Sequence, residues 1–256
     1  MTEQPVHTWL ERGGRLLRLR LARPKANILD GAMIAALRGA LDTHLDQPAL
    51  NGVLLDAEGP HFSFGASVEE HLPEQCAGML RAMHALIVRM FASPVPVLVA
   101  IRGQCLGGGL ELAASAHLLF AAPDARLGQP EIKLAVFAPA ASCLLPERIA
   151  RAHAEDLLFS GRSISATEAQ GVGLLNAVVD NPEATALAYF DEHLMPLSAS
   201  SLRLAVQAAR AEAVDRLTQR LAAVEELYLS KLMATRDAVE GLQAFLEKRV
   251  PSWEHH

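Results

Sequence analysis

The sequence predicts an α/β fold in two parts, a parallel sheet with helical crossovers followed by a region of helices alone. Two observations carry this. As far as residue 179, short apolar runs of strand length alternate with helical stretches, the β-α-β order that favours parallel pairing and right-handed connections. From Pro182 onward no strand pattern recurs. A boundary near Pro196 divides the chain into a core domain, 1–195, and a C-terminal helical oligomerisation region, 196–256. With 256 residues, 51% of them hydrophobic, the chain can bury a sizeable core.

Residues 15–21 alternate, Leu17, Leu19 and Leu21 against Arg18 and Arg20, which predicts a half-buried strand. A turn at 23–27 follows. Asp30 can cap a helix with Ile34, Leu37, Leu41 and Leu45 on one face, ended by Pro48. Residues 52–57 read as a buried strand, 61–67 as a loop, and 68 onward as an irregular helical stretch. A helix is predicted over 80–91, a buried strand over 95–101, a helix start at 110–116, a second strand over 117–122 and a loop at 127–131. Pro139 suits the first turn of a helix within the apolar run 134–145. Further helices are expected around 146–159 and 166–170, then a strand over 174–179. Beyond it helices are expected over 184–195, 200–216, 218–233 and 237–249. Leu217, Leu221, Val224, Tyr228 and Leu232 form one apolar stripe, expected to pack against a partner subunit as well as the chain's own core.

Net charge is −6 and no Lys/Arg-rich run occurs, which argues against a nucleic-acid partner. Cys76, Cys105 and Cys143 fit neither zinc-site spacing nor a disulfide framework, so a reducing compartment is expected. No signal-like apolar segment opens the chain and no run reaches the ~20 residues of a membrane span. The expectation is a soluble, cytoplasmic protein without a membrane partner. The closing Glu254-His255-His256 reads as the start of an appended tag and is set aside.

The stretch 95–131 is the one around which chemistry gathers. A buried strand runs into the glycine cluster Gly103-Gln-Cys-Leu-Gly107-Gly108-Gly109 and then a helix start. The cluster lacks the Gly-Lys-Ser/Thr of a P-loop and the spacing of a dinucleotide fold. It is either a tight turn where backbone passes backbone or an anion hole of peptide N–H groups at a helix N-terminus. Glu111, in the first turn between leucines, is favoured by the helix dipole and penalised by desolvation. Glu131, twenty positions later, also has apolar neighbours. The two are either surface carboxylates or a pair facing one pocket, where burial and repulsion separate an acid from a base. Scattered histidines show no ligand spacing, and no metal is expected. No Gly-x-Ser-x-Gly elbow surrounds Ser63 or Ser67.

Five segments then resemble the signatures of the enoyl-CoA hydratase/isomerase (crotonase) family. They are Phe-Ser-Phe-Gly-Ala-Ser at 62–67, Ile-Arg-Gly-Gln-Cys-Leu-Gly-Gly-Gly-Leu-Glu-Leu at 101–112, Leu-Gly-Gln-Pro-Glu-Ile at 127–132, Leu-Phe-Ser-Gly-Arg-Ser-Ile-Ser-Ala at 158–166 and Ala-Phe-Leu-Glu-Lys-Arg at 244–249. They fall in the family's order over essentially the whole chain. The resemblance implies a spiral of ββα units, with a C-terminal helical region that builds a homotrimer or a dimer of trimers. It implies an acyl-CoA thioester substrate and no cofactor, coenzyme A being part of the substrate.

By the same resemblance, Ala66 and Gly108 supply the oxyanion-hole amides, and Glu111 and Glu131 are the two hydratase glutamates. Lys25, Ala26, Phe64, Gly65, Ser67 and Val68 match the region that holds coenzyme A, and Gly107 lies beside the hole. Lys248 reaches a CoA phosphate from the same or a neighbouring subunit. Ser67 replaces a usual aspartate, Phe64 a small residue, and 136–142 a glycine-rich stretch; there Phe137, Pro139, Ala140 and Ala141 add volume after Glu131. These departures point away from a straight-chain enoyl group and toward a six-membered conjugated ring. The resemblance also leaves room for an ordinary trans-2-enoyl-CoA hydratase, an isomerase, or, outside enzymes, an acyl-CoA-binding protein on the same fold.

Overall fold

Val97–Ile101 (β4) is buried at every position. Its alternate side chains feed different clusters: Val97, Val99 and Ile101 join the main core, while Leu98 and Ala100 pack with Leu16, Leu54, Phe120 and Phe190. Successive strand residues point to opposite faces, so an unbroken apolar run suits a strand covered on both. In the computed structural model, which describes residues 4–256, β4 is an inner strand of a six-stranded sheet. The others are Val6–Glu11 (β1), Leu16–Leu21 (β2), Gly52–Ala57 (β3), Leu118–Ala121 (β6) and Ala177–Val178 (β9). Their order is β1-β2-β3-β4-β6-β9, antiparallel only between β1 and β2.

A second sheet holds Gln104–Leu106 (β5), Arg126–Gly128 (β7) and Ser163–Ser165 (β8). The chain runs β4, β5 and then Gly108–Ser115 (α3); it repeats this as β6, β7 and Pro139–Arg148 (α4). Two parallel bridges, Ser63 to Cys105 and Leu29 to Ala66, extend the small sheet to the turns that precede Pro73–Phe91 (α2) and Gly31–His44 (α1). The ββα unit therefore recurs. Parallel stacking brings equivalent turns side by side, and the site is built from those turns.

Local chemistry explains the helix starts. Asp30 accepts from the Met33 amide at 2.8 Å and caps α1. Pro73 and Pro139 open α2 and α4, where a missing N–H costs nothing. Arg151–Ser160 (α5), Ala166–Gly171 (α6), Pro182–Tyr189 (α7), Ala199–Ser230 (α8) and Arg236–Leu246 (α9) complete the chain. Among the described residues no strand follows β9, and no helix is long and apolar enough to cross a membrane.

The structure corrects several sequence expectations. β1 is an exposed edge strand, and β5, β7 and β8 have three residues each; none is long or apolar enough to display a period. The last strand is two residues, not 174–179. α2 begins at 73 rather than 80, burying Cys76 and Met79 as well. The helices expected over 200–216 and 218–233 are one helix, α8, ending at Ser230, because nothing between them breaks it; a 3-10 turn, Leu232–Ala234, follows. Pro146 lies inside α4 rather than opening the next helix.

The predicted stripe on α8 is present, but Leu217, Leu221 and Tyr228 are buried in the chain's own core cluster, with Val224 and Leu232 packed against it. That cluster continues across residue 195. The closing residues are not a loose appendage: the amides of Glu254 and His255 donate to Asp237 at 2.7 and 2.9 Å.

β2 is also not half-buried. Arg18 is 2% exposed. It donates to Asp56 at 2.6 Å and Glu11 at 2.9 Å, and Arg20 donates to Asp56 and Glu183. The carboxylates let the arginine face of the strand lie under α7. A buried charge so surrounded is tolerated only with its partners in place.

Candidate active site

Gly107 is the N-cap of α3, and its φ of +53° is a conformation that side chains with a Cβ rarely adopt. The turn leaves Gly108 as the first helical residue, with an N–H that the helix cannot satisfy. One unit earlier in the spiral, Gly65 at φ +107° turns the chain into Ala66. Phe64 donates to the Ala26 carbonyl at 2.9 Å and Leu29 to the Gly65 carbonyl at 2.9 Å, tying this loop to the 25–29 turn. A Cβ placed on Gly108 would fall 3.1 Å from the Ala66 nitrogen. Neither the Ala66 nor the Gly108 amide has a hydrogen-bond partner among the described residues. Two adjacent unpaired donors, one carrying the positive end of a helix dipole, can stabilise an oxygen that gains negative charge.

Glu111, on the first turn of α3, is 5% exposed. Its Oε1 accepts the Ala141 amide at 2.8 Å, so it caps α4 from a distant part of the chain. Burial pushes its carboxyl up to about 7, against the pull of the Ala141 and Ala140 amides. Glu131 stands on the short 3-10 turn Pro130–Leu134 that follows β7. The Gly107 amide donates to the Gly128 carbonyl at 2.9 Å, which draws this turn against the start of α3. Glu131 is half-buried, but its carboxylate points inward: a Cβ on Gly107 would lie 2.7 Å from Oε1. Burial, then the charge of Glu111, pushes Glu131 up to about 8. Like charges in one dry site cannot both ionise freely, so the pair holds a proton near neutral pH.

Two contributors are absent from the sequence reading. Gln129 is 1% exposed. With its amide nitrogen oriented toward the surrounding acceptors, it donates to both Glu131 oxygens at 3.1 Å and to the Gly107 carbonyl at 3.3 Å. Its signal was its place inside the Leu-Gly-Gln-Pro-Glu-Ile segment. Tyr228, on α8, is fully buried, and its ring meets Phe137 edge-on at 5.1 Å. Only the apolar stripe marked it.

The other predicted binding residues divide. Ala26, Phe64 and Gly65 share the loop just described, with Lys25 exposed beside them. Phe64 is 42% exposed, edge-on to His61. Ser67 and Val68 continue the same loop, Val68 half-buried against the core. No hydrogen bond or ion pair joins Lys248 to this patch among the described residues. No group of three or more His, Cys, Asp or Glu residues is placed to hold a metal ion among them.

The enoyl-CoA hydratase/isomerase profile matches residues 11–256. The chain belongs to the enoyl-CoA hydratase/isomerase family. Within that family it is 66% identical over 251 residues to the cyclohexa-1,5-dienecarbonyl-CoA hydratase of Thauera aromatica, covering 98% of this chain and 97% of that one. A probable enoyl-CoA hydratase of Mycobacterium bovis is 33% identical, with 96% and 97% covered. The fold is likewise that of the family's solved members. A putative enoyl-CoA hydratase from Mycobacterium avium paratuberculosis superposes with a TM-score of 0.86 at 25% identity, covering 97% and 99%. The match of the profile to residue 256 also takes in the closing three residues read from sequence as a tag.

Proposed function

We propose that the protein adds water to cyclohexa-1,5-diene-1-carbonyl-CoA, giving 6-hydroxycyclohex-1-ene-1-carbonyl-CoA in anaerobic benzoyl-CoA breakdown. The observation that carries this is the 66% identity to the Thauera hydratase along nearly the whole chain, twice that to the Mycobacterium bovis hydratase. The amides of Ala66 and Gly108 receive the thioester oxygen as charge develops on it. Glu111 and Glu131 hold the water. The ionised carboxyl takes its proton as oxygen attacks the β-carbon, and the protonated one returns a proton to the enolate. In the dienoyl thioester the negative charge extends over the second double bond. Protonation at its remote end completes a 1,4-addition.

Lys25, Ala26, Phe64, Gly65, Ser67 and Val68 hold the coenzyme A arm in this reading, with Lys248 on a phosphate. Gly107 keeps the approach to the hole open. Phe137, backed by Tyr228 and followed by Pro139, walls a short chamber fitted to a ring. The chemistry requires no metal or redox cofactor.

The test is the ratio of kcat/KM for the cyclic dienoyl thioester to that for crotonyl-CoA. The cyclic substrate is expected to be preferred, with measurable crotonyl-CoA turnover, because shape discrimination is worth only about 1–3 kcal/mol per methylene-sized change. A clear preference for the linear thioester would assign an ordinary enoyl-CoA hydratase instead.

The assembly belongs to the same proposal. Leu204, Leu227 and Phe245, on the helical region 196–256, are half or more exposed, at 66%, 50% and 54%. Such apolar surface favours association. Sedimentation at micromolar concentration should give a trimer or a pair of trimers; a monomer would refute it.

A further inference from the structure

Tyr228 heads the fully buried side chains in size, at 0% exposure, yet its hydroxyl has no hydrogen-bond partner among the described residues. Leaving a buried hydroxyl unpaired is destabilising, and a phenylalanine would fill the same space without that penalty. The Tyr228 ring packs edge-on against Phe137, six residues after Glu131 and just before α4, whose Ala141 amide Glu111 holds. The charges of Cys76, Glu131 and Glu111 bear on the hydroxyl. Burial, reinforced by those neighbours, holds the phenolic proton well above its ordinary range. The group is therefore a neutral O–H donor at any working pH.

A water between two carboxyl groups directs its hydrogens to them and keeps two lone pairs. One attacks carbon, and the other is free to accept a hydrogen bond. The N-terminus of α4, which Glu111 caps, is one regular source of unpaired N–H groups, but Pro139 at its start has none. The Ala140 and Ala141 amides are engaged by Glu111. The Ala66 and Gly108 amides are assigned to the thioester oxygen. The Gln129 amide is engaged by Glu131, and the proton that the carboxyl pair holds goes to the enolate. The Tyr228 hydroxyl, by contrast, is a buried donor with no partner among the described residues.

We propose that the Tyr228 hydroxyl donates to the water held by Glu111 and Glu131, and in the reverse reaction to the hydroxyl group of the alcohol. The inference rests on the hydratase function proposed above. It gives the helical region a contact with the reacting oxygen, through a residue 97 positions from Glu131 in the chain.

Tyr228→Phe removes one oxygen and keeps the ring against Phe137. The expected result is a fall of about tenfold or more in kcat for hydration, with KM within about threefold, as loss of a donor to a reacting oxygen predicts. Tm should be unchanged or raised, because the lost hydroxyl had no protein partner. A kcat within about twofold of wild type overturns the proposal. Wild type assayed alongside separates this outcome from the function itself. If wild type hydrates neither thioester, the hydratase reading fails, and the contact is judged without turnover from high-resolution crystal structures of both forms. Wild type should show a water within about 2.6–3.2 Å of both Tyr228 Oη and a glutamate oxygen, lost or displaced in the variant. An Oη bonded only to protein atoms overturns the proposal.

Discussion

Glu111→Gln and Glu131→Gln are each expected to retain the fold and thioester binding while losing hydration by about 10²-fold or more, the scale of general acid–base catalysis. Each amide keeps the shape of the side chain but can neither take nor return a proton. Both carboxyls sit above their ordinary range, chiefly through burial, so the pair supplies one proton donor and one acceptor near neutral pH. The wild-type rate should then fall on both sides of neutrality: in acid as the base protonates, in alkali as the acid ionises. The limbs belong to the pair rather than to either residue. Each variant should lose this two-sided profile along with its rate.

Stability should move the other way. A carboxyl whose folded pKa is raised contributes stability that is fully present below the unfolded value and is lost as pH rises through the folded one. Here that window runs from about 4.5 to the 7–8 region. The Gln variants carry no such penalty. They should match wild type near pH 5 and exceed it at pH 9, by about 1–3 kcal/mol if one or two pKa units are relieved. Thermal unfolding at the two pH values measures this. Full activity in either variant sinks the two-glutamate mechanism.

Gly108→Ala is expected to cost about 10²–10³ in kcat, the loss seen when one oxyanion-hole donor fails. The backbone at Gly108 is not in the left-handed region, so alanine fits its φ. The new methyl would nevertheless lie 3.1 Å from the Ala66 nitrogen and 3.3 Å from the Ala66 Cβ, blocking the space in front of the hole. The expected pattern is lost turnover with intact folding, read from kcat beside far-UV circular dichroism and Tm. Unaltered kcat would mean that the thioester oxygen binds elsewhere. Gly107→Ala is a poorer probe: it combines backbone strain at φ +53° with a collision at the Glu131 carboxylate, so fold and site change together.

The sequence by itself determined the longer strands, the helix starts and the candidate carboxylates. A strand buried on both faces must be apolar throughout, and 95–101 is. A helix cap and a proline at a first turn are local, and Asp30 and Pro139 act within a few residues of themselves. The glycine turn, Glu111 and Glu131 stood out because a carboxylate among apolar neighbours is penalised by desolvation.

Elements of three residues were not legible, since β5, β7 and β8 are too short to display a period. Nor was the burial of Arg18, because its tolerance depends on Asp56 and Glu11 arriving from other strands. Parallel pairing was expected from the β-α-β order, but only the tertiary structure decided that the stacking sets a Gly108 Cβ position beside the Ala66 amide and Glu131 against Gly107. It likewise decided that Glu111 accepts the Ala141 amide and that the α8 stripe turns inward and sets Tyr228 against Phe137. The physical reason is the range of each interaction. Propensity, capping and turn chemistry act over about four residues of chain, whereas desolvation and charge act over a few ångströms of space, and only folding brings distant residues within them.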